Sequence, residues 1–335
     1  MDFKAGLRTS FKVLIPLILG GLLLWYLYRG MDFTQVWSAI RKGVRYDIIA
    51  CSLIFGLVAN VIRGLRWCLL IDELGMPYKR SNAVHAVLGN YAVNLVLPRV
   101  GEIWRCGIVT RYNKIPFTKL FGTLLVDRVF DTLVVGALTL ILFVFHFDFF
   151  AGFLAKYPVV LDGLSALVHS VWIYVGLVCS VAFVWLVFVY MSKFAFVQKA
   201  KELLTNVWTG IKSVWLMKRK RLFLIYTLLI WVCYFFFFYI TFFAFSFTRD
   251  LGVTAGLIAF AMSSLGVAAP VQGGIGAWHF MVIATLFFFG VNESDAGAFA
   301  LVVHTAQTAW TGLCGLVSIV VLPMMNKKVE VENYS

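Results

Sequence analysis

Charged side chains interrupt an otherwise apolar stretch at NLVLPRVGEIWR, which runs from Asn94 to Arg105. Arg99, Glu102 and Arg105 are spaced three residues apart, so on a helix each faces the next across one turn. Guanidinium groups bind phosphate through two parallel hydrogen bonds, and a carboxylate between them can orient one of them. The spacing therefore predicts a phosphate-binding cluster. The alternative is that these arginines extend from a helix end to the lipid headgroups.

Two further stretches, NVIRGLRW and LLVDRVFDTL, place charges inside apolar segments. The first contains Arg63 and Arg66, and the second contains Asp127, Arg128 and Asp131. A charge at the centre of a membrane helix costs about 2.5–3.5 kcal/mol, so these groups need partners. We expect Asp131 to pair with Arg128 and Asp127 to pair with an arginine of another helix. The set predicts a substrate or proton site, and the alternative is an ion network that only locks the helices together. For Arg66, near a helix end, extension to the headgroups is a further alternative.

Proline and glycine break two apolar segments, at LPRVG and at PVQGGIGAWH. Proline ends a helix by removing a backbone donor, and glycine adopts dihedral angles that other residues avoid. The freed helix ends offer N–H groups to an anion, whereas the alternative is two ordinary surface turns. The residues assigned to these breaks and to the anion site beside them are Pro98, Gly101, Pro270, Gln272, Gly273, Gly274, Gly276 and His279.

The remaining polar candidates lie in the last apolar segment. His304 and Gln307 fall near one helical face, where they either line a cavity or pack against a neighbouring helix. The aromatic stretch WVCYFFFFYITFFAF, residues 231–245, is assigned to packing or lipid contact with no chemical role.

Composition indicates that membrane helices position these side chains. Of the 335 residues, 61% are hydrophobic and 13% are charged, against roughly 25% charged in soluble domains. The net charge of +13 is typical of cytoplasmic anchoring residues, and with no soluble basic domain it does not predict nucleic-acid binding. The six cysteines and five histidines lack the spacings of metal sites, and there is no phosphate-binding GxxxxGK[ST] loop. We therefore expect no metal and no cofactor.

The apolar segments predict an all-α polytopic membrane protein forming a single domain over residues 1–335. A membrane-spanning helix needs about 20 mainly apolar residues. Six segments meet this requirement, and they are 13–28, 47–70, 120–146, 171–191, 222–247 and 297–322. The broken segments 83–110 and 253–290 are predicted to be re-entrant hairpins. The order of elements predicts an inverted-topology repeat of residues 1–146 and 171–322, a plan found in secondary transporters.

Charge predicts the orientation in the cell membrane. The basic segment 192–221 is expected to be a cytoplasmic loop, with both chain termini on the same side. Loops 147–170 and 291–296 carry more acidic than basic residues and are expected outside. Segment 29–46 conflicts with this scheme, because it is basic although the count of spans places it outside.

The motifs LPRVGEIWR, DRVFD and PVQGGIGAWH, in this order, resemble the lysylphosphatidylglycerol synthase transmembrane family, also called flippase-like domain proteins. The resemblance runs over nearly the whole chain and implies movement of a lipid between membrane leaflets. Few residues follow the last predicted span, so we expect no aminoacyl-transferase domain. The family's second motif ends in Glu where this chain has His279. The expected substrate is therefore another phospholipid or a polyprenyl-phosphate-linked lipid.

These features favour a lipid transporter, with no enzymatic activity expected. Two alternatives stay open, which are a membrane-embedded lipid-modifying enzyme of glycosyltransferase type and a non-transporting scaffold subunit of the cell envelope. The expected partners are a membrane lipid and either a second copy of the chain or an envelope enzyme.

The predicted topology can be tested by labelling single cysteines in intact cells. Cysteines at positions 160 and 293 should react with a membrane-impermeant reagent, whereas those at 110, 205 and 330 should not, because the basic loops stay inside. External labelling at 205 would contradict the orientation. The same single-cysteine proteins labelled after permeabilisation provide the control.

Overall fold

The computed structural model describes residues 18–97, 99–157, 216–269 and 271–331, and these ranges fold into α-helices with no β-strand. Two 3-10 segments, Ile240–Ala244 and Gln272–Gly274, interrupt them. In chain order the helices are α1 (Ile18–Tyr28), α2 (Phe33–Gly43), α3 (Tyr46–Asp72), α4 (Arg80–Val96), α5 (Val100–Asn113), α6 (Phe117–Phe145), α7 (Phe147–Lys156), α8 (Lys220–Tyr239), α9 (Val253–Ala268), α10 (Ala277–Phe288) and α11 (Glu293–Val331).

Four helices of the described ranges are long and apolar enough to cross a membrane. They are Tyr46–Asp72, Phe117–Phe145, Lys220–Ala244 and Glu293–Asn326. They overlap the predicted spans 47–70, 120–146, 222–247 and 297–322, of which 120–146 and 222–247 extend past the ends of their helices at Phe145 and Ala244. Only residues 18–28 of the predicted first span are described, and the predicted span 171–191 lies outside the described residues.

The sequence patterns missed two shorter helices. Asp32 begins α2 by accepting a hydrogen bond from the Thr34 backbone N–H at 2.8 Å, which satisfies a donor at the start of the helix. In α7, Phe149 stacks on Phe289 with ring centroids 5.6 Å apart. Both helices are too short to cross a bilayer, which is why a search for apolar segments of spanning length did not reveal them.

The first broken segment forms a helix–break–helix unit from α4 and α5. The Lys79 backbone N–H donates to the Asn113 side-chain oxygen at 3.0 Å, so the start of α4 lies beside the end of α5. Between them, α4 ends at Val96, and α5 begins after Arg99. Pro98 lies outside the described residues. The unit therefore begins and ends on one face of the molecule, which we call the Asp72 face because Asp72 pairs there with Arg80 at 2.8 Å.

The second unit consists of α9, a break and α10. Gly273, Gly274 and Gly276 adopt φ angles of 60°, 75° and 83°, a region that side-chain-bearing residues rarely enter. At Gly266 a Cβ atom would lie 2.8 Å from the Trp278 Cα, so the two helices approach closely only because this residue is glycine. Pro270 lies outside the described residues.

The two breaks contact each other. The Arg99 guanidinium donates to the Ala268 carbonyl oxygen at 3.3 Å, and the Gln272 amide donates to the Leu95 carbonyl oxygen. Each contact joins a side chain of one break to the backbone at the end of the other unit's first helix. Carbonyl groups freed where α4 and α9 end are thereby satisfied within the protein.

The second unit begins and ends on the opposite face, which we call the Asp32 face. Here Asp32 lies beside Phe247 and Asp295 around one cavity, and the Arg45 backbone N–H donates to the Ala244 carbonyl oxygen at 2.9 Å. Segment 29–46 therefore lies on the same face as loop 291–296. The count of spans requires this arrangement. The basic charge of segment 29–46 had indicated the other side.

The fold makes a prediction for Gly101 in the first turn of α5. A Cβ at this position would overlap the Asn90 carbonyl oxygen and lie 2.8 Å from the Asn94 side-chain oxygen. Gly101→Ala should therefore push α5 away from α4 and destabilise the protein by about 1–3 kcal/mol, as overpacking usually does. The measurement is the unfolding midpoint in detergent.

Gly107 provides a matched control on the same helix. No atom lies within 4 Å of a Cβ built there, so Gly107→Ala should leave stability unchanged or raise it slightly. Equal stability of the two alanine variants would contradict the close contact between α4 and α5.

Candidate functional site

The side chains of Arg66 and Asp127 form the centre of the candidate site, and both are completely buried. Arg66 lies on α3 and Asp127 on α6, with the Arg66 Nη2 2.6 Å from the Asp127 Oδ1. The Arg66 Nε donates to the same oxygen at 3.0 Å, and the Arg66 Nη1 donates to the Thr227 hydroxyl of α8 at 3.2 Å. This geometry excludes the alternative that Arg66 extends to the lipid headgroups.

Asp131 extends this pair by one helical turn along α6. Its Oδ1 lies 2.7 Å from the Arg66 Nη2, and its Oδ2 lies 3.0 Å from the Arg63 Nη1. Arg128 approaches Asp131 at 3.6 Å. Both pairings expected from the sequence are confirmed, namely that of Asp131 with Arg128 and that of Asp127 with an arginine of another helix.

Helix α5 contributes Arg105 and Glu102, although not in the predicted arrangement. The Arg105 Nη2 lies 3.2 Å from the Asp127 Oδ2, and the Arg105 side chain is completely buried, so Arg105 does not extend to the headgroups at the membrane surface either. Glu102 lies 3.3 Å from the Arg128 Nε. The predicted Arg–Glu–Arg cluster is wrong, because Glu102 pairs with Arg128 of α6.

Arg99 lies outside that cluster for a backbone reason. Its φ of 61° and ψ of −3° are left-handed, so Arg99 precedes the helix and does not face Glu102 across a turn. Non-glycine residues held in this conformation are strained by about 1–3 kcal/mol and occur often at functional sites. The side chain is directed to the second break, where it bonds to Ala268.

We call this set of ion pairs the arginine network, and its members are Arg63, Arg66, Arg105, Arg128, Glu102, Asp127 and Asp131. Its positive charges outnumber its negative charges, and some of its hydrogen-bond donors have no acceptor in the described part of the chain. Four guanidinium groups face three carboxylates, which leaves one positive charge. The Nε and Nη1 of Arg105 are buried and have no hydrogen-bond partner in the described part of the chain, and the same holds for the Nε of Arg63. A buried unpaired donor on a charged group is costly, so these atoms can bind an acceptor with negative charge.

Aromatic and amide side chains support the network, and the sequence patterns missed most of them. The Arg105 guanidinium lies 4.7 Å from the Trp67 ring centroid, and the Arg63 guanidinium lies 5.3 Å from that of Tyr234. The Tyr234 hydroxyl donates to the Asn60 side-chain oxygen at 2.5 Å. Stretch 231–245, assigned only to packing or lipid contact, thus also places a polar group in the site.

One sequence signal could have revealed that role. Thr227 and Tyr234 are seven residues apart on α8, so they lie on the same helical face. Both hydroxyls face the network, through Arg66 and Asn60 respectively.

The candidates at the second break lie together, but they form a separate group. Gly273 accepts a hydrogen bond from the His304 ring at 3.0 Å, and the Gly276 N–H donates to the His279 Nδ1 at 3.4 Å. Gln307 instead donates to the Phe237 carbonyl oxygen at 2.7 Å, which favours helix packing for this residue. The described residues hold no cluster of three or more His, Cys, Asp or Glu side chains that could bind a metal ion.

Replacing Asp127 tests how far the network depends on it. Asp127→Ala should destabilise the protein by about 3–5 kcal/mol, because it leaves two buried arginines without their shared partner. Asp127→Asn should destabilise the protein less, since its amide oxygen still accepts a hydrogen bond from Arg66. The measurements are the unfolding midpoint and the yield of monodisperse protein.

Asp47 provides the matched control. It pairs with Arg45 at 2.8 Å, but both side chains are about two-thirds exposed, so solvent screens the pair. Asp47→Ala should therefore have little effect. If Asp127→Ala were as stable as Asp47→Ala, the buried network would not hold the helices together.

The chain is similar to part of one curated protein. It is 32% identical over 92 residues to a protein named Glycosyltransferase AglD from Haloferax volcanii, and the match covers 27% of this chain. The chain spans only 15% of the length of that relative. No solved structure matches the chain.

The family comparison covers far more of the chain. The family described as the lysylphosphatidylglycerol synthase TM region matches residues 13–315. That range contains the arginine network, both helix–break–helix units, three of the helices long enough to cross a membrane and most of the fourth, Glu293–Asn326. The chain is therefore a membrane protein, and it belongs to the lysylphosphatidylglycerol synthase transmembrane-region family.

Proposed function

We propose that this protein moves a phosphate-bearing anionic lipid between the leaflets of the membrane. The observation that carries the proposal is Arg105, whose buried Nε and Nη1 lack partners in the described residues, within a network that holds one excess positive charge. A phosphate oxygen accepts hydrogen bonds and supplies the missing negative charge. A guanidinium group can bind it through two N–H groups at once.

The neighbouring residues offer a route to Arg105 from the break. Glu102 and Arg128 are about one-third exposed, whereas Arg105 is completely buried. Arg99, directly before α5, is exposed, and within the described residues its side chain bonds only to a backbone carbonyl. We infer that a headgroup first meets Arg99 and then displaces the pair of Glu102 with Arg128 on its way to Arg105.

We also propose a topology of six full spans and two re-entrant hairpins related as an inverted repeat, with both termini in the cytoplasm of a cell-membrane protein. The two helix–break–helix units support this topology, because one begins and ends on the Asp72 face and the other on the Asp32 face. Their breaks meet through Arg99 and Gln272. Broken helices with their sites at the repeat interface are typical of secondary transporters.

The contacts between the breaks supply a gate in this mechanism. The bonds from Arg99 to Ala268 and from Gln272 to Leu95 close the space between the two units. A phosphate that binds Arg99 competes with the Ala268 carbonyl oxygen and so favours separation of the breaks. The transporter requires no enzymatic step of its own, and a second copy or an envelope enzyme is the partner we propose for it.

A second candidate function is a lipid-modifying enzyme, and the relative named as a glycosyltransferase favours it. In that case the network would bind the phosphate of a lipid acceptor while a sugar is transferred. The two candidates differ in their products, since an enzyme changes the mass of the lipid and a transporter changes only its leaflet.

Arg99→Gly provides the sharpest test. Glycine relieves the strain of the left-handed backbone, which offsets the lost bond to Ala268, so the variant should be about as stable as wild type. It also removes a guanidinium worth about 1.5–3 kcal/mol in a bond to a charged group, so transport should fall about ten- to hundredfold. The measurement is dithionite quenching of labelled phosphatidylglycerol, phosphatidylethanolamine and polyprenyl phosphate in liposomes, with mass spectrometry of the recovered lipids.

Lys114→Gly is the matched control, because Lys114 is the other non-glycine residue with a positive φ in the described ranges, at 57°, and it is exposed. Glycine at this position relieves the same kind of backbone strain, and the variant should transport lipid like wild type. Normal transport by Arg99→Gly would contradict the proposed route. Failure of the wild-type protein to move any of the three lipids would contradict the function, and a sugar-dependent change in lipid mass would favour the enzyme.

A further inference from the structure

Two histidine rings pack against each other at the second break. His279 lies on α10 and His304 on α11, with ring centroids 4.5 Å apart and an angle of 51° between the ring planes. His279 is only 2% exposed. The arginine network does not use this pair.

The hydrogen bonds of the two rings fix where their protons lie in the neutral state. The Gly273 carbonyl can only accept, so the His304 Nε2 at 3.0 Å must carry a hydrogen. The Gly276 N–H can only donate, so the His279 Nδ1 at 3.4 Å must present its lone pair. The remaining basic nitrogen is the His304 Nδ1, where a proton can add without breaking either bond.

The surroundings allow the pair one proton at most. Helices α9 and α10 contain no Asp, Glu, Lys or Arg, and the acidic residues of α11 lie near its two ends, at Glu293, Asp295 and Glu330. From α1, Tyr28 faces His279 with ring centroids 6.3 Å apart, and its hydroxyl donates to the Gly297 carbonyl oxygen at 2.8 Å. From α8, Phe238 reaches Trp278 beside the pair and carries no charge. Two imidazolium rings at this distance would repel each other without a counter-ion in the described residues.

We propose that His279 and His304 form a proton-binding site that controls the second break. A proton taken up by the His304 Nδ1 makes the ring cationic, and its Nε2–H bond to the Gly273 carbonyl oxygen then becomes charge-assisted and stronger. Gly273 follows Gln272, which bonds to Leu95 of the first unit. Proton binding therefore favours the joined state of the two breaks, and proton release favours their separation.

The proton site rests on geometry alone, whereas its coupling to transport rests on the proposed function. In that mechanism each cycle joins and separates the breaks. A proton bound in one state and released in the other lets a proton gradient drive lipid movement. This identifies the proton as the coupling ion for a chain that has no nucleotide-binding loop.

Trp278 reports on the pair directly. Its ring centroid lies 5.0 Å from that of His304 and 5.4 Å from that of His279, and a cationic imidazolium quenches indole emission at contact distance. The signal is the emission of the wild-type protein minus that of Trp278→Phe, measured in detergent with a chelator present. We expect it to change as the pH is lowered, with the slope of a single proton.

Two conservative variants locate the proton. His304→Gln keeps a donor for the Gly273 carbonyl oxygen but cannot be protonated, so it should abolish the transition. His279→Asn keeps an acceptor for the Gly276 N–H, and it should retain the transition because the proton binds to His304. His146→Gln, which lies at the end of α6, is the control and should titrate like wild type.

The outcomes separate the site from the transport function. A flat Trp278 signal in the wild-type protein, or a transition that survives in His304→Gln, would overturn the proton site. A transition that appears only when zinc is added would identify a metal site and overturn it as well. If the signal titrates but no lipid moves, the site stands and the proposed transport fails.

The coupling is tested in the same liposomes with an imposed pH difference. We expect the gradient to change the rate of lipid movement in wild type and in His146→Gln, and to leave the rate of His304→Gln unchanged. Equal responses of wild type and His304→Gln would overturn the coupling.

Discussion

The Asp127 carboxylate is the interaction on which the architecture around the candidate site depends. One of its oxygens binds Arg66 of α3 at 2.6 Å, and the other binds Arg105 of α5 at 3.2 Å. Each buried guanidinium would be far costlier without this anion, and the anion would be far costlier without them. Three helices are thereby held together by one side chain. The break before α5 is fixed relative to α3 and α6 as a consequence, because Arg105 lies only six residues after Arg99.

A second constraint comes from the backbone at the breaks. Helices that end inside an apolar environment leave carbonyl groups that need donors, and here the other unit provides them. Arg99 donates a hydrogen bond to the Ala268 carbonyl oxygen, and Gln272 donates one to the Leu95 carbonyl oxygen. The carbonyl groups at each break are therefore hydrogen-bonded only while the two breaks are in contact. Groups that satisfy each other across an interface are suited to a change between two states, since a ligand or proton that competes for one of them alters both.

The candidate site thus combines two kinds of polar group with different electrostatic roles. The arginine network carries a permanent charge that suits an anion. The histidine pair lies beside α9 and α10, which carry no Asp, Glu, Lys or Arg, and it gains charge only by binding a proton. The contacts between the breaks involve Arg99, six residues before Arg105, and Gln272, which directly precedes the Gly273 that His304 bonds. In the proposed mechanism, lipid binding to the network and proton binding to the pair act on those same contacts, which is the physical basis for linking the two in one cycle.

The sequence alone determined that the chain is helical and membrane-embedded, that its buried charges must pair, and where its helices break. Apolar length and the cost of a charge in lipid are local properties, so they can be read from spacing. Only the tertiary structure decided which groups pair. Arg66 and Asp127 are 61 residues apart, and Glu102 turns to Arg128 because Arg99 takes a left-handed backbone conformation outside α5. The role of Tyr234 and the contact of His279 with His304 likewise depend on which helices lie side by side, and no local pattern contains that information.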